Sequence, residues 1–215
     1  MGLILFITSI FVGLLLSHLI EKISNNYFKY SKTFFKKLLI VFLTTFAFVS
    51  FYYRYSFSTK TFYFILLTLI LIIITFIDID YLIIPDEIII FGSVVSIFIN
   101  IFYKNINIFS GILCFLIPYL VALIFSSITK KEVIGGGDLK LFFMIGLFLG
   151  TESGILTIIT SIHIGAIFGI IVLIYNKVKK LDFMSIIPFG PFISMACFLV
   201  MFFGDNTIKN ILFIQ

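Results

Sequence analysis

Two clusters of carboxylates interrupt an otherwise strongly apolar sequence. They are 76-FIDIDYLIIPDE-87, with Asp78 and Asp80, and 133-VIGGGDLKLF-142, with Asp138. A carboxylate inside a membrane segment costs about 2.5–3.5 kcal/mol on insertion scales, so such residues are candidates for function. Two carboxyl groups about 3 Å apart cannot both ionise cheaply, which leaves one acid and one base near neutral pH. Such a pair can activate a water molecule and protonate a leaving group, as in aspartic proteases.

The composition indicates an integral membrane protein with an all-α, polytopic fold. Of the 215 residues, 61% are hydrophobic and 12% are charged, against about 25% charged residues in a soluble domain. The uncharged run 61-TFYFILLTLILIIITFI-77 would rise about 26 Å as a helix, close to the ~30 Å hydrocarbon core. The hydropathy pattern predicts eight spans, at 3–20, 38–53, 61–77, 88–103, 108–127, 139–150, 154–175 and 186–203.

The positions of the basic residues predict the orientation of these spans. With eight spans, one side holds Lys22, Lys29, Lys32, Lys36, Lys37, Lys130, Lys131, Lys140, Lys177, Lys179 and Lys180. The other side holds Arg54, Lys60, Lys104 and Lys209. The positive-inside rule then places both termini outside and the lysine-rich loops in the cytoplasm. Both acidic clusters are therefore expected at the cytoplasmic face, and nucleic acid is not an expected partner because the lysines sit in short loops beside spans.

Glycine and proline residues flank the two acidic clusters. Gly135, Gly136 and Gly137 can take positive φ and lack a Cβ, so we expect an unwound backbone there that a substrate strand could approach. A flexible loop before a span is the alternative. Pro85 is expected to fix the chain where the next helix begins.

Three charged residues beside these glycines and Pro85 have less specific interpretations. Asp86 and Glu87 are expected to cap the helix after Pro85, where acidic side chains suit the helix dipole. Lys140 follows Asp138 by two residues. It either stabilises negative charge in the site or extends from a span end towards the headgroups.

The remaining polar residues are expected to be structural. Five acids lie in loops or at span ends, where a solvated position is expected: Glu21, Glu132, Glu152, Asp182 and Asp205. Cys114 and Cys197 are expected to be small core residues, and no Cys-x-x-Cys pair predicts a metal site. His18 and His163 are expected to pack or hydrogen-bond locally. The basic, aromatic segment 21–37 is expected to lie at the membrane surface.

The ordered motifs resemble those of the type IV prepilin peptidases, polytopic aspartic endopeptidases of bacterial inner membranes. The first cluster is similar to one active-site motif of that family, and Gly135-Gly-Gly137-Asp138-Leu-Lys140 is similar to the other. The run 188-PFGPF-192 resembles a third signature, and Gly146 and Gly150 fit the glycine spacing after the second aspartate.

The resemblance implies a GxGD-type aspartyl protease core with Asp78 and Asp138 as the catalytic acids and Asp80 as the rival for the first position. Gly135, Gly137, Lys140 and Pro85 would support the substrate or the loop, without a metal. The implied reaction removes the basic leader from prepilins or pseudopilins at the cytoplasmic face of the bacterial inner membrane. The expected partners are those substrates and the lipid bilayer; neither the particular substrate nor the oligomeric state follows from the sequence.

The chain departs from the bifunctional members of that family in its first loop. Those members also methylate the new amino terminus with S-adenosylmethionine and usually carry two zinc-binding Cys-x-x-Cys pairs in a longer loop. Here the loop has no cysteine, and Ser17 stands where asparagine is expected. We expect a peptidase without a cofactor, S-adenosylmethionine being needed only if methylation were retained. Residues 1–60 are expected to form an N-terminal hairpin with a short basic loop, and residues 61–215 the catalytic core.

Several other functions are compatible with the same acids. The related preflagellin and Flp-type prepilin peptidases are also short forms, although eight spans favour the larger bacterial type. A different intramembrane Gly-x-Gly-Asp protease, resembling presenilin or signal peptide peptidase, would leave the Pro85-Asp86 and PFGPF runs without a role. A proton- or cation-coupled carrier would use the acids as a relay and predicts an inverted repeat. A noncatalytic subunit of a secretion machine predicts that Asp78 and Asp138 are dispensable.

Overall fold

The computed structural model describes residues 2–27, 34–102, 108–130, 134–179 and 187–204, and all regular structure in these ranges is α-helical. Within these ranges, eight helices follow one another. They are α1 (Gly2–Tyr27), α2 (Phe34–Tyr55), α3 (Thr59–Tyr81), α4 (Asp86–Phe102), α5 (Ile108–Thr129), α6 (Gly136–Leu149), α7 (Thr151–Lys179) and α8 (Gly190–Phe203).

The eight helices occur in the order of the eight predicted spans, which confirms the polytopic all-α fold. Five of them are long and apolar enough to cross a membrane, namely α1, α2, α3, α5 and α7. Three are shorter than 18 residues: α4 has 17, and α6 and α8 have 14 each. The predicted sixth span, 139–150, is short, and it corresponds to α6, one of these three shorter helices.

The chain divides by its contacts into two compact units, Met1–Asp80 and Tyr81–Gln215. In the first unit, α1, α2 and α3 pack through a buried apolar cluster of Leu16, Ile20, Ile40, Ile72 and Phe76. This cluster lies towards the carboxyl ends of α1 and α3 and the start of α2, so it supports the end of α3 that carries Asp78. The predicted assignment of 1–60 to a hairpin and 61–215 to a catalytic core stays a prediction.

In the second unit, α6 lies at the centre of the packing and contacts α4, α5, α7 and α8. Cys114 of α5 fits against two glycines at this centre. A Cβ added to Gly146 of α6 would lie 2.9 Å from Cys114 Sγ, and one added to Gly154 of α7 would lie 2.5 Å from it. Cys114 and Cys197 are both buried and free, as predicted for core residues.

The segment 21–37 is helical in its described parts, and its position at the membrane surface stays a prediction. Residues 21–27 continue α1 and residues 34–37 begin α2, while residues 28–33 lie outside the described part of the chain. The physical reason lies in side-chain pairing. Lys36 and Lys37 at the start of α2 contact acids on the neighbouring helices, which holds this end of the hairpin in helical form.

Candidate active site

Asp78 lies in the last turn of α3 and is only 5% exposed. Residues four and seven positions earlier lie on the same helical face, and both of these, Ile74 and Leu71, are buried as well. Asp78 is thus placed at the end of an apolar stripe that faces the interior. Its carboxylate is thus largely removed from water.

Asp80 occupies a different position on the same helix and has a defined partner. Its Oδ1 accepts a hydrogen bond from Lys36 Nζ of α2 at 2.5 Å, and the two side chains are 12% and 26% exposed. Successive helical residues are rotated by about 100°, so Asp78 and Asp80 are separated by about 200° around the helix. The two acids of the first motif therefore face different sectors.

Glu21 of α1 is buried, which contradicts the solvated-loop interpretation of this residue. It is 7% exposed, and its Oε2 lies 3.4 Å from Lys37 Nζ. The sequence contained a signal for this pairing, because an acid near the end of one helix precedes adjacent lysines at the start of the next. Of the other acids in that group, Glu152 lies in the first turn of α7 and is exposed. Glu132, Asp182 and Asp205 lie outside the described residues.

A tight turn joins the first motif to α4. Leu82 has φ 56°, a left-handed conformation that ends α3 and costs a side-chain-bearing residue about 1–2 kcal/mol. Ile84 and Pro85 are both buried. The Pro85 carbonyl accepts hydrogen bonds from the backbone N–H groups of Ile88 and Ile89 at 3.3 and 3.4 Å, so α4 starts directly after the proline.

Asp138 is the third residue of α6, and its side chain is half-buried. Gly135 is the N-cap, with φ −67° and ψ 143°, and its carbonyl accepts a hydrogen bond from the Asp138 backbone N–H at 3.1 Å. A Cβ added to Gly135 would lie 3.1 Å from Asp138 Oδ2. The carboxylate therefore folds back over the helix start, where the positive end of the helix dipole stabilises an ionised acid.

The glycine run does not form the unwound backbone that was expected. Gly136 and Gly137 are the first two residues of α6, and Gly135 has an extended conformation that any residue can adopt. Among the described residues, the glycines with positive φ are Gly150 and Gly204, at the ends of α6 and α8. The run is used instead for close approach, since a Cβ at Gly137 would lie 3.1 Å from Ile84 Cβ.

The start of α6 is joined to the start of α4 by two contacts. Gly137 packs on Ile84, and Lys140 Nζ donates to Asp86 Oδ1 and Oδ2, both at 2.8 Å. Lys140 thus has a defined carboxylate partner, which neither of its two sequence interpretations included. These contacts bring the Pro85-Asp86 end of the first motif against the Gly-Asp-Leu-Lys end of the second.

The other end of α6 is also held by α4. The buried Asn100 amide donates from Nδ2 to the Leu147 carbonyl at 2.9 Å and to Ser96 Oγ at 3.3 Å. Leu147 belongs to the last turn of α6, where carbonyls have no partner within the helix. Asn100 therefore caps α6 from a neighbouring helix, and both ends of the Asp138 helix are anchored to α4.

The PFGPF run lies at the start of α8. Phe189 is the N-cap of α8, and its ring lies 6.1 Å from that of Phe192. The Phe192 ring in turn lies 5.1 Å from Phe168 of α7. A Cβ at Gly165 of α7 would lie 2.8 Å from Phe189 Cε2. The run packs α8 against α7 and lies outside the acidic clusters.

Asp78 belongs to the first compact unit and Asp138 to the second. Because the two acids belong to different units, the pairing of their carboxyl groups stays a prediction. His163 Nδ1 is paired with the Ile159 carbonyl at 2.8 Å, in agreement with the local hydrogen bonding expected for it.

A model of the type IV leader peptidase family matches residues 65–170. This range begins within α3 and ends within α7, so it contains Asp78, Asp138 and the contacts that join α4 to α6. This part of the chain is similar to the type IV leader peptidase family. Together with the five long apolar helices, the match indicates a multi-pass membrane protein.

Curated relatives have the same name in several bacteria. The chain is 31% identical over 138 residues to the prepilin leader peptidase/N-methyltransferase of Legionella pneumophila, covering 62% of this chain and 47% of the relative. It is 29% identical to that of Stutzerimonas stutzeri over 134 residues, with 60% and 45% covered. For Bacillus subtilis the values are 29% over 132 residues, with 61% and 52% covered.

The chain therefore spans about half the length of the curated relatives it matches. No solved structure matches it significantly.

Proposed function

We propose that this chain belongs to the type IV leader peptidase family and is a membrane aspartic endopeptidase that removes the leader from type IV prepilins or pseudopilins. The observation that carries the proposal is that the matched range, 65–170, contains Asp78 and Asp138. Both acids lie at helix ends, one buried at the end of α3 and one half-buried at the start of α6. The relatives bear the name of a prepilin leader peptidase.

In the proposed mechanism, the two carboxyl groups share one proton. The ionised member takes a proton from water as the oxygen attacks the scissile carbonyl, and the protonated member donates to the carbonyl oxygen or the leaving nitrogen. The position of Asp138 at the start of α6 favours its ionised form. Asp78 is the more buried of the two acids, so their environments differ.

The anchoring of α6 supports this assignment. Ile84 and Asp86 follow Asp78 by six and eight residues and contact Gly137 and Lys140 on either side of Asp138. An active site needs its reacting groups held to within a fraction of an ångström. The contacts on both sides of Asp138 are suited to that purpose.

We propose that the chain acts without the methyltransferase activity named in its relatives. The segment between α1 and α2 has no cysteine, so a thiolate zinc site cannot form there. The two cysteines of the chain are buried in α5 and α8. No cofactor is then required, and the reaction uses the two aspartates and water.

The proposed location is the bacterial inner membrane, with the active site at the cytoplasmic face. The support comes from the bias of eleven basic residues against four between the two sets of loops. The family match favours this function over a carrier or a noncatalytic subunit, because it covers both acids.

The test is leader cleavage of a co-expressed prepilin, followed by a gel shift. Asp78→Asn and Asp138→Asn, which keep the shape but remove the charge and the titratable proton, are expected to abolish cleavage, while Asp80→Asn retains it. Glu152→Gln, an acid-to-amide change at an exposed residue in the first turn of α7, is the matched control and is expected to cleave normally.

All variants are compared at equal membrane levels. Cleavage by Asp78→Asn and by Asp138→Asn at the wild-type rate would overturn the aspartic mechanism. Loss with Asp80→Asn and not with Asp78→Asn would transfer the first catalytic role to Asp80. Failure of the wild type on several prepilins and pseudopilins would overturn the proposed substrate class.

A further inference from the structure

The Lys36–Asp80 ion pair contains an acid two residues from Asp78, the proposed catalytic residue. Asp80 lies within the matched family range, 65–170, and Lys36 lies outside it. Asp80 precedes the end of α3 by one residue, and Lys36 is the third residue of α2. The carboxylate is 12% exposed and the ammonium 26% exposed. A pair so largely removed from water depends on both partners, because removal of one leaves an uncompensated charge.

The position of Lys36 within its own helix is unusual electrostatically. The start of an α-helix carries a partial positive charge, so a lysine in the first turn is disfavoured unless an acid compensates it. Lys36 and Lys37 each have such an acid, and the two acids are on different helices: Asp80 on α3 and Glu21 on α1. The start of α2 therefore links the ends of α1 and α3.

The charged side chains of this region are divided between two contacts. On α1, Glu21 is buried and pairs with Lys37, whereas His18 and Lys22 are exposed. On α2, Lys36 pairs with Asp80. Within the first unit, the Lys36–Asp80 pair is a contact of the first acidic motif with α2.

We propose that Lys36 is a positioning residue of the peptidase, which holds Asp80 against α2 so that the first motif presents a single catalytic acid, Asp78. This inference rests on the proposed function. Lys36 acts through the charge of Asp80. It compensates this charge two residues from Asp78, since a bare like charge nearby disfavours ionisation of a carboxyl group.

The experiment measures kcat and KM for prepilin cleavage by the purified full chain in detergent micelles or bilayer nanodiscs. Lys36→Met is expected to lower kcat about tenfold with KM little changed, because it leaves the Asp80 carboxylate uncompensated two residues from Asp78. Lys36→Arg keeps the charge and is expected to stay near the wild type. Lys37→Met, which removes the partner of Glu21 in the same turn, is the matched control and should leave kcat unchanged.

A double variant separates positioning from folding. Lys36→Met combined with Asp80→Asn removes the uncompensated carboxylate, so kcat is expected to recover most of the loss caused by Lys36→Met alone. A purely structural role predicts instead a lower yield or thermal midpoint with an unchanged kcat per folded molecule. A wild-type kcat for Lys36→Met, or no recovery in the double variant, would overturn the proposal.

The wild type serves as the reference for the function itself. If it cleaves prepilin, the outcomes above concern Lys36 alone. If it does not cleave any prepilin or pseudopilin while remaining folded, the proposed function is rejected and the role of Lys36 in it is rejected for that separate reason.

Discussion

Lys140 of α6 donates from one ammonium group to both carboxylate oxygens of Asp86 at the first position of α4, each at 2.8 Å. The lysine is two residues from Asp138, and the aspartate is the residue after Pro85. The contact therefore links the two sequence motifs in the structure. The Lys140 side chain is 49% exposed and the Asp86 side chain 56%. Exposed ion pairs of this kind contribute about 0–1 kcal/mol to stability.

Loss of this ion pair is expected to affect cleavage more than stability. Lys140→Met and Asp86→Asn should lower kcat to a similar degree, because each removes the same contact, and the double variant should be no worse than either single one. The measurement is a double-mutant cycle on kcat, with the thermal midpoint of each variant as a control. Normal cleavage by Asp86→Asn with loss in Lys140→Met would instead assign Lys140 to the substrate.

The glycine run offers a matched pair of substitutions. Gly137→Ala places a Cβ 3.1 Å from Ile84 Cβ, whereas an added Cβ at Gly136 meets nothing within 4 Å. We expect Gly137→Ala to lower both the thermal midpoint and leader cleavage, because α6 must move away from the turn before α4. Gly136→Ala should match the wild type in both assays. Equal tolerance of the two substitutions would show that the contact with Ile84 is not needed.

The packing of Cys114 against Gly154 predicts a compensating pair. Gly154→Ala places its Cβ 2.5 Å from Cys114 Sγ, and overpacking of this kind costs about 1–3 kcal/mol. Addition of Cys114→Ala removes the sulfur and should restore much of the loss. Gly169→Ala, on the same helix with nothing within 4 Å of the added Cβ, is the control. The check is thermal unfolding in detergent, where strictly additive effects would contradict a direct clash.

Asn100 is expected to stabilise the end of α6. Asn100→Ala leaves the Leu147 carbonyl without its amide donor and should cost about 1–3 kcal/mol, the range for an unsatisfied buried polar group. Ser96→Ala removes only the longer 3.3 Å contact of the same amide and should cost less. Unfolding by denaturant in mixed micelles gives both values. A smaller loss for Asn100→Ala than for Ser96→Ala would contradict the capping role.

Sequence patterns predicted the helices well and the pairing of charges poorly, for a physical reason. Helix order and the core positions of Cys114 and Cys197 follow from local hydropathy, which each segment carries in itself. The burial of Glu21 and the partners of Lys36 and Lys140 depend on residues 16, 44 and 54 positions away (37 minus 21, 80 minus 36, 140 minus 86). A charge in the sequence does not state which opposite charge lies across the helix interface.

The glycine run shows the same limit in another form. Glycine permits positive φ and also permits close approach, and the sequence alone cannot choose between these uses. At Gly137 the structure shows close approach, because the backbone of this glycine packs against the Ile84 side chain. By contrast, Leu82 adopts φ 56° although leucine disfavours it, and no composition rule would have predicted that conformation there.

The 14 residues of α6 set a physical depth for the chemistry. Such a helix rises about 21 Å, about 9 Å less than the ~30 Å hydrocarbon core of a typical bilayer. Because α6 packs among α4, α5, α7 and α8, its protein neighbours rather than lipid fill the remaining depth. We therefore expect the carboxylate at the start of α6 to lie in a space lined by protein, where a polar group at membrane depth is tolerated.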